Sequence, residues 1–228
     1  MQKIAAIVSA YYASRFIDGR IKDLLKQIPA PLVVVIAQSD SYEADLVLKS
    51  YGDNPLVQLI LTADVPTVYQ AWNIGIENSE SEYITNANSD DRLYDHALRL
   101  LSKTLDRQSD QAVAYFDIDR VEEIGSIPVG QFIWREGGIK ELLGGCFVGP
   151  MPMWRRSLHT KYGPFNADFK SAGDYEFWMR IAAQGEKFKH IHGVHGAHLE
   201  RPDALEHRSP LRTTWETARA RSLYRGFA

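Results

Sequence analysis

The stretch Glu82–Tyr94 reads EYITNANSDDRLY. Tyr83, Ile84 and Thr85 are β-formers. Asn86 to Asp91 is a polar run that cannot continue a buried strand, so the chain turns there. A buried strand ending in two adjacent carboxylates, Asp90 and Asp91, puts negative charge at a sheet edge, and in open α/β sheets ligands bind at that edge. Mg²⁺ prefers oxygen ligands and is usually held by one or two carboxylates plus substrate phosphates. One reading of the stretch is therefore a metal–diphosphate site. The other is an N-S-D-D turn that caps a helix beginning near Asp95, since Asn, Ser and Asp are the usual turn and cap residues. The surrounding chain has to separate the two.

Upstream, buried strands alternate with amphipathic segments. Ile4–Val8 is a short apolar run leading into SAYYAS. Arg15 to Ile28 has Phe16, Ile21, Leu24, Leu25 and Ile28 at helical spacing, and Pro29 and Pro31 stop it. Leu32 to Ala37 (LVVVIA) has the composition of a parallel strand covered on both faces. Ser41 is placed to cap a helix through Lys49, Val57 to Leu61 is a third strand, and Pro66 suits the first turn of a helix over Val68–Asn78. Strands alternating with helices in this way predict a parallel sheet with covering helices. Right-handed crossovers then align the strands. Ser9–Tyr12, Gln38–Ser41 and Asn88–Asp91 fall on one edge, an arrangement suited to a nucleoside diphosphate. No Gly-rich phosphate loop of either usual type is present, so a bound cation is the expected way of handling phosphate.

The second half is less regular. Asp95–Leu105 reads as a helix and Ala112–Ile118 as a strand. Val121–Lys140 reads as surface chain, and Leu142–Trp154 as extended or turning chain. Arg155–Tyr162 reads as a short helix. Tyr175–Gln184 is helical, with Asp174 near its N-terminus, where the dipole stabilises a carboxylate. Phe188–Ile191 is a short strand followed by histidines, in the series His190, His192, His195 and His198.

Composition narrows the class. At 228 residues with 45% hydrophobic and 24% charged residues, the chain suits one soluble domain with a small appendage. A net charge of −3 argues against general nucleic-acid binding. Cys146 is the only cysteine, which excludes an intramolecular disulfide and fits a reducing cytoplasm. Met1–Ala10 lacks the features of a signal peptide, and no run approaches a membrane span.

Four segments together resemble the family 2 glycosyltransferases with the GT-A fold. They are the opening strand and turn IVSAYYAS; Tyr69–Ile76 (YQAWNIGI), similar to an A-x-N-x-G-I helix; Glu82–Thr85 running into Asn88–Asp91; and Gly173–Arg180 (GDYEFWMR), similar to an E-D-x-D-x-W-x-R helix. Order and spacing match over about residues 3–200. The resemblance implies an α/β fold: a Rossmann-like, mostly parallel central sheet with helices on both faces and a smaller irregular acceptor side. It divides the chain into a domain over 1–200 (nucleotide-binding half 1–107, acceptor-side half 108–200) and a C-terminal helical extension, 201–228.

Such a transferase moves a sugar from a nucleoside diphosphate to a hydroxyl acceptor (a glycan, a lipid-linked glycan or a protein), with inversion; a UDP-sugar is the default donor. The leaving diphosphate needs a cation, Mg²⁺ or Mn²⁺, and the acceptor hydroxyl a general base. The resemblance assigns the base to Asp174, with a plain helix cap as the alternative. It assigns the metal to Asp90, Asp91 and a late histidine, His195, with His198 next. Nucleotide recognition is expected from Ala10, Tyr11, Gln38, Asp40, Asn73, Asn88, Ser89 and Asp90. Tyr11 is equally readable as core, and Asn73 as a helix-surface residue. Glu176, Trp134 and Trp154 are acceptor-side candidates, whereas Trp72 and Trp178 read as core. Two departures stand out: Asn88, where the family often has Asp, and Gly173, where it often has Glu.

From Pro210 the tail forms a basic amphipathic helix with Arg212, Arg219, Arg221 and Arg225. It is suited to docking on the domain or on a second subunit of a homodimer, or to peripheral contact with an anionic inner membrane face. The rival functions are a sugar-nucleotide nucleotidyltransferase, disfavoured because SAYYASR lacks a glycine-rich loop, and a non-catalytic nucleotide-sugar-binding module on the same fold.

Overall fold

The structure is a computed structural model that describes residues 2–201 and 209–227; residues 202–208 and 228 of the expected extension lie outside the described residues. The first half runs β1 (Ile4–Ser9), α1 (Ile17–Leu25), β2 (Leu32–Gln38), α2 (Tyr42–Tyr51), β3 (Val57–Thr62), α3 (Val68–Glu77) and β4 (Tyr83–Asn86). The second continues through β5 (Arg92–Leu93), α4 (Ala97–Arg107), β6 (Gln111–Val121), β7 (Gly130–Phe132), α5 (Ile139–Gly144), β8 (Met153–Arg155), α6 (Ser157–Tyr162), α7 (Gly173–Ala182), β9 (Lys187–Leu199) and α8 (Pro210–Tyr224).

The described strands form one sheet in the order β3-β2-β1-β4-β8-β6-β9-β5, with β7 on β6. β3, β2, β1 and β4 are parallel. β8 inserts antiparallel between β4 and β6, and β9 runs parallel to β6. β1 and β2 are apolar at nearly every position because both faces are covered. Ala5 and Ile7 face α3 and α7, while Ile4, Ala6 and Val8 face α1, α2 and α4. Period-2 alternation sends successive side chains into the two cores.

Local chemistry fixes the helix starts. The Ser41 hydroxyl accepts from the Ala44 amide at 3.1 Å to open α2, as its position in the sequence predicts. Thr67, rather than Pro66, opens α3, through a capping box with Gln70. Gly75 on α3 lets the helix lie close on the sheet. A Cβ there would fall 2.5 Å from Ile7 Cγ2 and 3.0 Å from Ile36 Cδ1.

The second half departs from expectation in three places. Ile139–Gly144 is helical where turning chain was expected. The short strand predicted over Phe188–Ile191 extends to Leu199, with register shifts along its pairing to β6. Gly193, at φ 107°, sits inside that irregularity, which hides the strand from a period-2 reading. Finally, the acidic turn does not cap a helix. β5 intervenes, and α4 starts after His96, which makes no side-chain cap.

Candidate active site

The ends of β1 and β4, the start of α3 and the N-terminus of α7 surround a cavity of about 550 Å³. Ser9, Tyr11 and Tyr12 enter from the β1 loop, and Asn88, Ser89 and Asp90 from the β4 turn. The loops after β1 and β4 thus meet at one edge, as parallel neighbours must. Tyr11 donates to or accepts from Thr62 Oγ1 at 2.8 Å and is half-buried. Tyr12, the last residue of the expected Ser9–Tyr12 edge, is 80% exposed and holds φ at 54°. A non-glycine residue in that region is uncommon and clusters at functional sites.

Asp90 and Asp91 part company. Asp90 faces the cavity with Arg201 Nε 3.3 Å from Oδ2. Burial, then the neighbouring Asp91 charge, raise its pKa above the ordinary value. Asp91 is fully buried. Its Oδ2 accepts from Asn88 Nδ2 at 2.9 Å, and its Oδ1 from His198 Nδ1 at 2.7 Å. Arg92 Nη1 donates to the Ser89 and Asp91 carbonyls and locks the turn. Both Asp91 oxygens are thus bonded within the protein, which departs from the expectation that Asp91 stands beside Asp90 as an open metal ligand. His198, not His195, reaches the cavity. His195 sets its ring edge-on to core Phe116, with centroids 5.5 Å apart.

Asp174 stands in the first turn of α7 and lines the cavity. Tyr69 Oη donates to its Oδ1 at 2.9 Å. Burial, then the Asp174 charge, push the Tyr69 phenol well above its ordinary pKa, so it stays a donor. Lys170, Arg201 and Arg212 add positive charge to the same cavity. The sequence reading missed all three, because loop and tail arginines and lysines carry no positional signal.

Other expected site residues have structural partners. Asn73 clamps the backbone of Phe165, Nδ2 donating to its carbonyl at 2.8 Å and Oδ1 accepting from its amide at 2.9 Å. Glu176 is buried and accepts from Arg180 and from Tyr224 Oη at 2.6 Å. Trp154 is core, its Nε1 donating to His159 Nε2 at 2.8 Å. Trp134 stacks on Phe132 away from the cavity lining. Ala10 is buried and can offer only backbone. Gln38, which reaches the Ala63 carbonyl, and exposed Asp40 lie one strand over, outside the lining.

The donor set can be tested against a divalent cation. Among the described residues no three His, Cys, Asp or Glu side chains converge, which does not suit an all-protein cage. It suits Mg²⁺ or Mn²⁺ completed by substrate phosphate, with Asp90 as the carboxylate. A metal-binding histidine commonly gives its other nitrogen to a carboxylate, and the His198–Asp91 pair has that form.

The chain aligns over 97% of its length with the structure of S. aureus TarS residues 1–349 in complex with UDP-GlcNAc, at TM-score 0.78 and 17% identity, covering 66% of that chain. The UDP complex of the same protein gives 0.75, 16%, 97% and 65%. The mannosyltransferase PcManGT from Pyrobaculum calidifontis, in complex with GDP-Man and Mn²⁺, gives 0.71 and 14%, with 96% of this chain covering 64% of that one. These likenesses establish the GT-A-type fold, and the chain spans slightly less than two thirds of each structure. No curated protein matches it. The family model for glycosyl transferase family 2 matches residues 5–167, ending before Asp174 and His198. With well over half of the chain matched, and strand order, acidic turn and cavity in accord, the chain belongs to glycosyl transferase family 2.

Proposed function

We propose that the protein transfers a sugar from a nucleoside-diphosphate sugar to an acceptor hydroxyl, with inversion and assisted by Mg²⁺ or Mn²⁺. The observation that carries this reading is the meeting of Asp90, His198 and Asp174 with Lys170 and Arg212 in one cavity at the sheet edge. Asp90 and His198 Nε2 would hold the cation, and Asp91 would orient His198 through Nδ1. The bound cation would offset charge gained by the leaving diphosphate. Lys170 and Arg212 supply further positive charge to the same leaving group. Asp174, held by Tyr69, accepts the proton of the acceptor hydroxyl as that oxygen attacks. The UDP and GDP-mannose complexes of similar folds support a nucleotide sugar as donor, with UDP-sugars first in line.

The test is thermal shift with UDP, GDP, dTDP and CDP, each with and without Mn²⁺. Ligands that bind the native state raise its Tm by mass action. A Mn²⁺-dependent rise with one nucleotide, lost in Asp90→Ala, is expected. Asp174→Asn keeps that rise and loses turnover by about 10²–10⁴-fold. No rise with any nucleotide in either condition overturns the reading. A rise without turnover of any donor leaves a binding module.

A further inference from the structure

The N-terminus of α7 is capped from elsewhere in the chain. Its N-cap residue, Ala172, has no side chain for the task. Glu216 of α8 performs it. Its Oε1 accepts from the Lys170 amide at 2.9 Å, and its Oε2 from the amides of Lys170, Ser171 and Ala172 at 3.0, 2.8 and 3.0 Å. Glu216 is 2% exposed. One buried carboxylate thus collects three consecutive N–H groups around a helix start, where such donors otherwise lack partners and the dipole favours an anion.

We propose that Glu216 is a positioning residue for the transfer reaction: by fixing the 170–172 turn from α8, it sets Asp174 and Lys170 in the donor cavity. This rests on the reading of Asp174 as the base. Asp174 follows that turn directly, and Lys170 belongs to it, its Nζ donating to the Ala167 carbonyl at 2.9 Å. Arg212, one helical turn before Glu216, lines the same cavity. On the other side, Tyr69 fills the space next to Gly173. A Cβ at 173 would lie 2.7–3.0 Å from its ring. A side chain at 173 would crowd Tyr69, and Glu216 of α8 adds a carboxylate on the 170–172 amides to the acidic Asp174 and Glu176 of the helix's own first turn. The C-terminal helix is in this way part of the active site. A buried carboxylate costs stability unless its oxygens are fully bonded, and here they are bonded to the backbone that carries the base.

The test compares the full chain with Glu216→Gln, which is nearly isosteric but turns an NH₂ group onto backbone donors. Two readouts are needed: nucleotide release from UDP-GlcNAc or GDP-mannose with Mn²⁺, whichever nucleotide stabilises the protein, and amide hydrogen exchange. Misplacing a catalytic group by about 1 Å can cost about 10²-fold, so kcat should fall by about that factor while KM for the donor stays within about twofold. Exchange should accelerate at residues 170–174 and stay unchanged in β1 and β2. Glu216→Asp, which keeps the charge on a shorter arm, should recover part of the kcat. An unchanged kcat alongside faster exchange at 170–174 overturns the proposal and leaves Glu216 a helix cap. Asp174→Asn is run in parallel. If it keeps full turnover, the base assignment fails, while the response of kcat to Glu216→Gln is still read separately.

Discussion

A single step along the β4–β5 turn separates a carboxylate that faces the cavity from one that solvent does not reach. Asp90 pairs with Arg201 across the cavity wall, while both oxygens of Asp91 are taken by Asn88 and His198. Asp91→Ala should cost about 1–3 kcal/mol, because it leaves two part-buried partners, Asn88 and His198, unbonded; urea melts would read this as a lower midpoint. Asp90 behaves in the opposite way. Its folded pKa lies above the ordinary value, so its contribution to stability is present below that ordinary value and lost as pH rises through the raised one. At neutral pH the ionised group is a net cost. Asp90→Asn should therefore melt at or above wild type at neutral pH, converge with it in acid, and lose the Mn²⁺-dependent nucleotide shift. A variant that melts lower at neutral pH would show the Arg201 pair outweighing burial. The two aspartates read alike in the sequence, since nothing local says which of two adjacent carboxylates turns inward. The same holds for His195 and His198, whose faces are set by irregular pairing along β9. Asp174 was legible only through the family resemblance, since a carboxylate in a first helical turn reads equally as a plain cap. Lys170 and Glu216 were not, because their roles depend on contacts across 46 residues.

At the scale of elements, β8, α6 and α7 meet in an aromatic box. Trp154 donates to His159 Nε2, so this ring is a neutral acceptor, and His159 stacks on Phe177 with centroids 4.8 Å apart and planes 7° from parallel. Burial lowers the His159 pKa from 6.5 to about 4. The unfolded chain takes up this proton first as pH falls. The stability tied to His159 is thus complete above about pH 6.5 and is lost progressively down to about pH 4, a total of about 3 kcal/mol. Denaturant melts across that window should show the loss, and His159→Gln should flatten it. An equally steep acid limb in the variant would place the titration elsewhere. The box also explains why Trp154 was misread. Its flanking sequence, broken by Gly and Pro, reads as irregular extended or turning chain, yet β8 slots between β4 and β6 and drives the indole into the core. The alternating strands and helices of the first half were readable because each buried strand is a run of apolar residues. β8, at three residues, and bulged β9 have no such run.

Across the whole molecule, α3 belongs to the first half of the chain but sets the position of the second. Tyr69 and Asn73 lie one turn apart on it. The first bonds Asp174 and the second both backbone groups of Phe165. The segment from Phe165 to Asp174 is thus tied at both ends to a helix that Gly75 seats tightly on β1. The segment carries Lys170 and the turn that Glu216 caps, so the cavity floor and Asp174 move as one body if both ties act together. Asn73→Ala should cost about 1–3 kcal/mol by leaving the Phe165 groups unbonded. Tyr69→Phe should cost about 1.5–3 kcal/mol, the usual net worth of a hydrogen bond to a charged group. Contacting sites couple by about 0.5–3 kcal/mol, whereas independent ones add within about 0.3–0.5 kcal/mol. A double-mutant cycle by urea unfolding should show the pair costing less than the two singles added, since cutting either tie loosens the segment that the other holds. Strict additivity would mean that Phe165 and Asp174 are anchored separately, and that α3 supports Asp174 through Tyr69 alone.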